Sequence, residues 1–312
     1  MDSSAIAGAS LFLGSSAALV YAGTLAGVVR EALRPERRTI AWALSRGSPS
    51  DPAAWGLPVR EWSHGFRGAS CPVFDLGDED PSAPTAIVLH GFARSRYDAL
   101  ARLGPILPHV RRVLLPDLPG HGDDTGDLMS PTATAQALQT VIESLNVPSY
   151  RLWGRGLGAA VALEWAADAR ARERPLPEAL TVCELKLWTE SERSSWPSQY
   201  TLPLTPDWDG SYLIRLWHQI RDRELFHPWF ERTRATIRPV EPQLDADLLT
   251  LEVFAALCCR DWAGSHRSWL NWRADALDAI GSADVTFLAT PGDGWARDVP
   301  ALQALVAPRA KR

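Results

Sequence analysis

A glycine-rich turn, Gly154-Arg155-Gly156-Leu157-Gly158, joins the apolar run Tyr150 to Trp153 to an alanine-rich stretch that reads as a helix from Leu157 to Arg170. A helix that opens straight out of a strand points unpaired amides and the positive end of its dipole at whatever sits over the turn, a setting suited to an anion. Gly156, at the apex, carries no side chain and brings no nucleophile of its own. Polar residues that could act on water flank other runs: Asp117 in Asp117-Leu118-Pro119-Gly120-His121-Gly122, and Asp293 in Thr290-Pro291-Gly292-Asp293-Gly294. His218, His227 and His266 lie further along, at spacings that make no metal site, and read as surface or lid residues. No phosphate loop, dinucleotide fingerprint or thiol redox pair is present, so no cofactor and no metal is expected. Cys71, Cys183, Cys258 and Cys259 read as reduced, mostly buried thiols.

The elements that position these groups follow from the patterning. Val59 to Leu76 carries short β-like stretches that fit an opening antiparallel hairpin or meander. A strict alternation follows: a strand at Thr85–His90, a helix from Ser95 (a helix-cap residue) to Val110, a strand at Arg112–Leu115, a helix from Thr132 to Asn146, the turn described above, and a strand at Leu180–Leu187. Repeated strand–helix units with continuously apolar strands imply a mostly parallel sheet with helices on both faces. From residue 189 to 266 the rhythm breaks into a Trp- and Pro-rich helical stretch with helices at Tyr212–Arg223 and Leu244–Arg260. Nine of the 14 tryptophans lie between Trp188 and Trp295. Such side chains suit an inserted cap that lines a cavity, or simply stabilise a small lid. A helix at Ser268–Ile280 and a strand at Asp284–Ala289 resume the core, and Ala301 to Arg312 reads as a short helix with a basic tail.

The chain has 312 residues, 46% apolar and 22% charged, with a net charge of -5. That size fits one large α/β domain with an insertion, and neither the charge nor any dense basic stripe points to a nucleic-acid partner. Residues 5 to 29 carry no charge and are followed by Arg30, Arg34, Arg37 and Arg38. A run longer than the roughly 20 residues needed to cross hydrocarbon, with its basic flank on the C-terminal side, predicts a membrane anchor with the globular domain in the cytoplasm. A cleaved signal peptide and a helix packed on the domain are the alternatives. The expected organisation is an anchor and basic flank over 1–38, the first part of the core over 39–188, the cap over 189–266 and the last part of the core over 267–312.

Three segments, in order and in strand–helix context, resemble the α/β-hydrolase superfamily: Leu89-His90-Gly91-Phe92, Asp117-Leu118-Pro119-Gly120-His121-Gly122, and Trp153-Gly154-Arg155-Gly156-Leu157-Gly158. The resemblance covers about residues 59 to 300, and points to the cap-bearing branch with epoxide hydrolases, haloalkane dehalogenases and esterases. It implies that His90-Gly91-Phe92 is the oxyanion loop and that Gly154 and Gly158 flank the nucleophile elbow. It also implies that Phe92 and Leu157 supply the oxyanion amides, and that His90 and His121 shape loops. Gly156 stands where the family carries its nucleophile. Asp293, or secondarily Asp298, matches the acid, whereas the terminal strand and its histidine are missing from the sequence. The expectation is therefore a pseudo-hydrolase that binds a small apolar ligand or a protein partner. An active hydrolase or lyase using Asp117, Asp293 or a cap histidine, and a shortened relative of an active enzyme, stay open as alternatives.

Overall fold

The computed structural model describes residues 59–66, 69–78, 80, 82–103, 106–201, 204–273, 280, 285–288 and 299–306. The expected membrane span and both candidate acids, Asp293 and Asp298, lie outside the described residues. Seven strands form one sheet in the order β1-β2-β4-β3-β5-β6-β7. β1 (Val59–Phe66) and β2 (Ala69–Gly77) form the expected antiparallel hairpin, and β2 runs antiparallel to β4 (Arg112–Pro116). The other neighbours are parallel: β4 with β3 (Thr85–Leu89), β3 with β5 (Arg151–Arg155), β5 with β6 (Ala179–Cys183), and β6 with β7 (Val285–Leu288).

The apolar runs are continuous because the sheet is covered on both sides. In β3 every residue is buried: Ile87 and Leu89 join one core cluster, and Ala86 and Val88 join the other. The first cluster includes α2 (Pro131–Ser144) and α3 (Leu157–Ala171); the second includes α1 (Arg96–Ala101). Period-two alternation within one strand thus feeds two helix layers.

Several boundaries differ from the sequence expectation. α1 ends at Ala101 instead of Val110, ahead of the helix-breaking pair Gly104-Pro105. Ser95 does sit at its N-cap, but its side chain makes no capping hydrogen bond. β6 stops at Cys183, because Glu184 takes a left-handed backbone conformation (φ 53°) that no strand continues.

Among the described residues, four α-helices lie between β6 and β7: α4 (Glu190–Tyr200), α5 (Ser211–Leu225), α6 (Ala246–Cys258) and α7 (Trp262–Asn271). α4 lacks an apolar stripe but begins with a capping box, in which the Thr189 side chain accepts from the Glu192 amide and Glu192 reaches back to the Thr189 amide. α7 starts at Trp262, because Asp261 caps it through the Gly264 amide at 2.7 Å. α8 (Val299–Val306) is the last element among the described residues. Also among the described residues, no helix is long and apolar enough to cross a membrane, and no group of His, Cys, Asp and Glu is placed to hold a metal ion.

Candidate functional site

The turn between β5 and α3 is built by close approach. A Cβ at Gly154 would lie 2.4 Å from the Gly158 carbonyl oxygen, and one at Gly158 would lie 2.4 Å from the carbonyl oxygens of both Leu89 and His90. Only glycine lets α3 rise this tightly against β5 and the end of β3. Gly156, at the N-cap of α3, has φ 55° and ψ −114°, a backbone conformation that side-chain-bearing residues rarely adopt. Its own amide donates to the Cys183 carbonyl at 2.9 Å. The Leu157 amide, first in the helix, has no acceptor within it. Space is open above Gly156: a Cβ there would meet nothing nearer than the Gly91 Cα at 3.8 Å and Trp269 Cζ2 at 3.9 Å.

Two loops hold this turn in place. His90 donates from Nδ1 to the Gly91 carbonyl at 2.8 Å and accepts the Leu118 amide on Nε2 at 2.9 Å, which ties the loop after β3 to the loop after β4. His121 donates from Nδ1 to the Pro119 carbonyl at 3.0 Å and accepts the Ser265 hydroxyl on Nε2 at 2.6 Å, which ties that second loop to α7. Burial pushes His90 down to about 4 and His121 down to about 3, so both are neutral at physiological pH. Both imidazoles have their two ring nitrogens engaged in hydrogen bonds.

Asp117 does not fit the role of a base. Fully buried, it accepts the Arg96 amide at 2.7 Å and the Asp123 amide at 3.0 Å, and pairs with the Arg96 guanidinium. Arg96 also reaches Asp123 at 2.9 Å and Glu61 at 2.6 Å. With its oxygens occupied in shaping the turn, Asp117 has no free face for water.

A cavity of about 90 Å³ opens over Gly91, Phe92 and Gly156. Helices α4 and α7 bring the rings of Tyr200 and Trp269 onto it. Phe92 stacks on Trp269 with centroids 5.2 Å apart, and lies near Tyr200 at 6.0 Å and Trp262 at 5.7 Å. Sequence reasoning anticipated this aromatic lining but missed its charge. Arg94, Arg155, Arg223 and Arg238 border the cavity together with Glu184 and Glu224. Arg94 pairs with Glu252, Arg155 with Glu184 at 2.6 Å, and Arg238 with Glu224 at 3.5 Å. Burial pushes Glu184 up, but Arg155, with help from Arg102 and Arg94, holds the carboxyl below its usual value. Arg223 has no carboxylate partner among the described residues. Its Nε and Nη2 are buried without hydrogen bonds, and its guanidinium sits over the rings of Phe92, Tyr200 and Trp262 at 5.1, 5.2 and 5.3 Å. Burial pushes its pKa down.

The three histidines of the inserted segment differ. His218 is exposed, as a surface residue should be, while His227 borders the cavity. His266, expected at the surface or in a lid, is fully buried: its Nδ1 lies 2.6 Å from the Thr201 hydroxyl and its ring stacks 4.4 Å from Tyr200. Its Nε2 has no hydrogen-bond partner among the described residues, and burial, followed by the nearby Arg223 charge, holds its pKa well below the ordinary value. No sequence signal separated Arg223 from a solvated helix face. Only the packing of α5 shows its burial.

Solved structures share this architecture. A bacterial membrane phospholipase A superposes with a TM-score of 0.56 at 17% identity, covering 96% of this chain and 88% of that one. An enantioselective epoxide hydrolase mutant from Aspergillus niger superposes with a TM-score of 0.55 at 14% identity, over 75% of this chain and 68% of that one. The chain has the α/β-hydrolase fold.

No family model matches the chain. Among curated proteins, the chain is 31% identical to 2-succinyl-6-hydroxy-2,4-cyclohexadiene-1-carboxylate synthase of Klebsiella pneumoniae over 126 residues, 38% of this chain and 49% of that protein. It is 32% identical to the magnesium-chelatase 30 kDa subunit of Rhodobacter capsulatus over 99 residues, 31% of this chain and 34% of that protein. The matched segments span about half the length of these curated relatives, or less.

Proposed function

We propose that this α/β-hydrolase-fold protein is a pseudo-hydrolase, which binds a small ligand over the elbow without covalent chemistry. The observation that carries the reading is Gly156 at the apex of the β5–α3 turn, where the fold resemblance places a nucleophile. The strained backbone and the open space above it are kept, but no hydroxyl, thiol or carboxylate is present there. The amides of Phe92 and Leu157 form the oxyanion hole in this reading, and α4–α7 act as the cap. Residues 5 to 29 anchor the chain in a membrane with the globular domain in the cytoplasm, and a protein partner is an alternative occupant of the aromatic face.

A second reading, an active hydrolase or lyase without an elbow nucleophile, draws support from His266. A neutral imidazole whose Nε2 has no hydrogen bond among the described residues, with its ring 5.1 Å from that of Phe92, has the form of a general base. The test is turnover of short-chain esters and small epoxides by the purified chain, beside a His266→Gln variant. The pseudo-hydrolase reading expects no turnover above background in either. Turnover that His266→Gln abolishes would replace it with the second reading.

A further inference from the structure

The cavity over Gly156 combines one excess positive charge with aromatic walls, and this limits what fits it. Arg94, Arg155 and Arg238 each face a glutamate, so their charges are balanced inside the protein. Arg223 is not balanced: among the described residues it has neither an ion pair nor a side-chain hydrogen bond, and three aromatic rings are its neighbours. A guanidinium withdrawn from water without a counter-charge is costly, and a ligand that supplies one removes the cost. Phe92, Tyr200 and Trp269 offer flat apolar surface to the rest of such a ligand. The absent side chain at Gly156 leaves room at the head of α3, whose dipole also favours an anion.

We infer that the cavity holds a small monocarboxylic acid with an apolar or aromatic body, its carboxylate on Arg223 and facing the head of α3. The inference rests on the binding reading above and adds the chemical class of the ligand. A carboxylate matches the paired donors of a guanidinium, and its single charge matches the single unbalanced arginine. A phosphate group, at close to two negative charges near neutral pH, would leave an excess of the opposite sign.

The experiment titrates the full chain with benzoate and hexanoate, and with benzamide and hexanamide as neutral counterparts, followed by calorimetry and tryptophan fluorescence. The acids should bind roughly tenfold or more tighter than the amides. Arg223→Gln should erase that preference, bringing acid and amide affinities to the same level, and Arg223→Lys should retain part of it. Equal binding of acid and amide to the unaltered chain would overturn the carboxylate assignment and leave the binding reading standing. Inorganic phosphate binding tighter than either acid would also overturn it. Failure of all four compounds to bind would overturn the binding reading together with the inference.

Discussion

Arg96 and Arg223 are both drawn out of bulk water, and the protein treats them in opposite ways. Arg96 lies under the loop after β4 and meets Asp117, Asp123 and Glu61, while Asp117 in turn accepts two backbone amides. Each charged group in that network meets an opposite charge, although Arg96 Nε is buried without a hydrogen bond among the described residues. Arg223, on α5, faces a cavity with its guanidinium over three aromatic rings and no ion pair among the described residues. A satisfied buried charge holds a loop in shape, and an unsatisfied one beside a cavity is set up for something not in the chain. The histidines repeat the contrast: both ring nitrogens of His90 and His121 are engaged, whereas Nε2 of His266 is not.

The largest effect should come from breaking the satisfied region. Asp117→Ala leaves Arg96 without its buried partner and should cost about 3 kcal/mol of unfolding free energy, read from urea denaturation. A loss below about 1 kcal/mol would show that Asp123 and Glu61 suffice and that the network is not central. The elbow glycines sharpen the comparison within a single turn. Gly158→Ala drives a Cβ into two carbonyl oxygens and should cost about 3 kcal/mol. Gly156→Ser has room for its side chain, meets only the backbone strain of a positive φ, and should cost about 1 kcal/mol. Equal losses in the two variants would contradict the close-approach account.

Protonation gives an intermediate effect with a fixed sign. His90 and His121 are held at about 4 and about 3 in the fold, against 6.5 when unfolded. Below pH 6.5 the unfolded chain takes up protons that the native chain refuses, so stability is fully present above that pH and falls as pH drops toward 4. Each histidine contributes about 1.4 kcal/mol per pH unit to that slope. In His121→Gln, urea midpoints between pH 6 and pH 4.5 should show a slope smaller by about that amount; an unchanged slope would mean His121 is not buried neutral. The smallest effect is expected at Arg223, where Arg223→Gln should shift stability by less than about 1 kcal/mol in thermal denaturation. A loss as large as that of Asp117→Ala would place Arg223 among the structural charges.

The satisfied region was also the legible one. Continuous apolar strands, the glycines of the elbow and the Asp117–Gly122 run are short-range patterns whose geometry is dictated by neighbours in sequence, and they located β3, β4, β5 and α3 to within a residue or two. The inserted helices were harder. α4 carries Pro197 and no apolar period, so no periodic pattern marks it in the sequence. His266 is buried and Arg223 half-buried by residues distant in the chain, among them Tyr200 and Phe92, and a polar residue on a helix looks the same in sequence whether it faces solvent or a cavity. The balance of charges around the cavity is a property of the packing, which is why an apolar ligand was the natural expectation and an acid is the better fit.

The central claim is that the turn at Gly156 keeps the geometry of a reactive elbow without its reactivity. Incubation of the unaltered chain with a fluorophosphonate, followed by intact-mass measurement, tests it most directly. The account predicts no added mass, because no activated hydroxyl stands at the head of α3. Stoichiometric labelling that maps to a serine bordering the cavity would contradict it and return the protein to the working hydrolases.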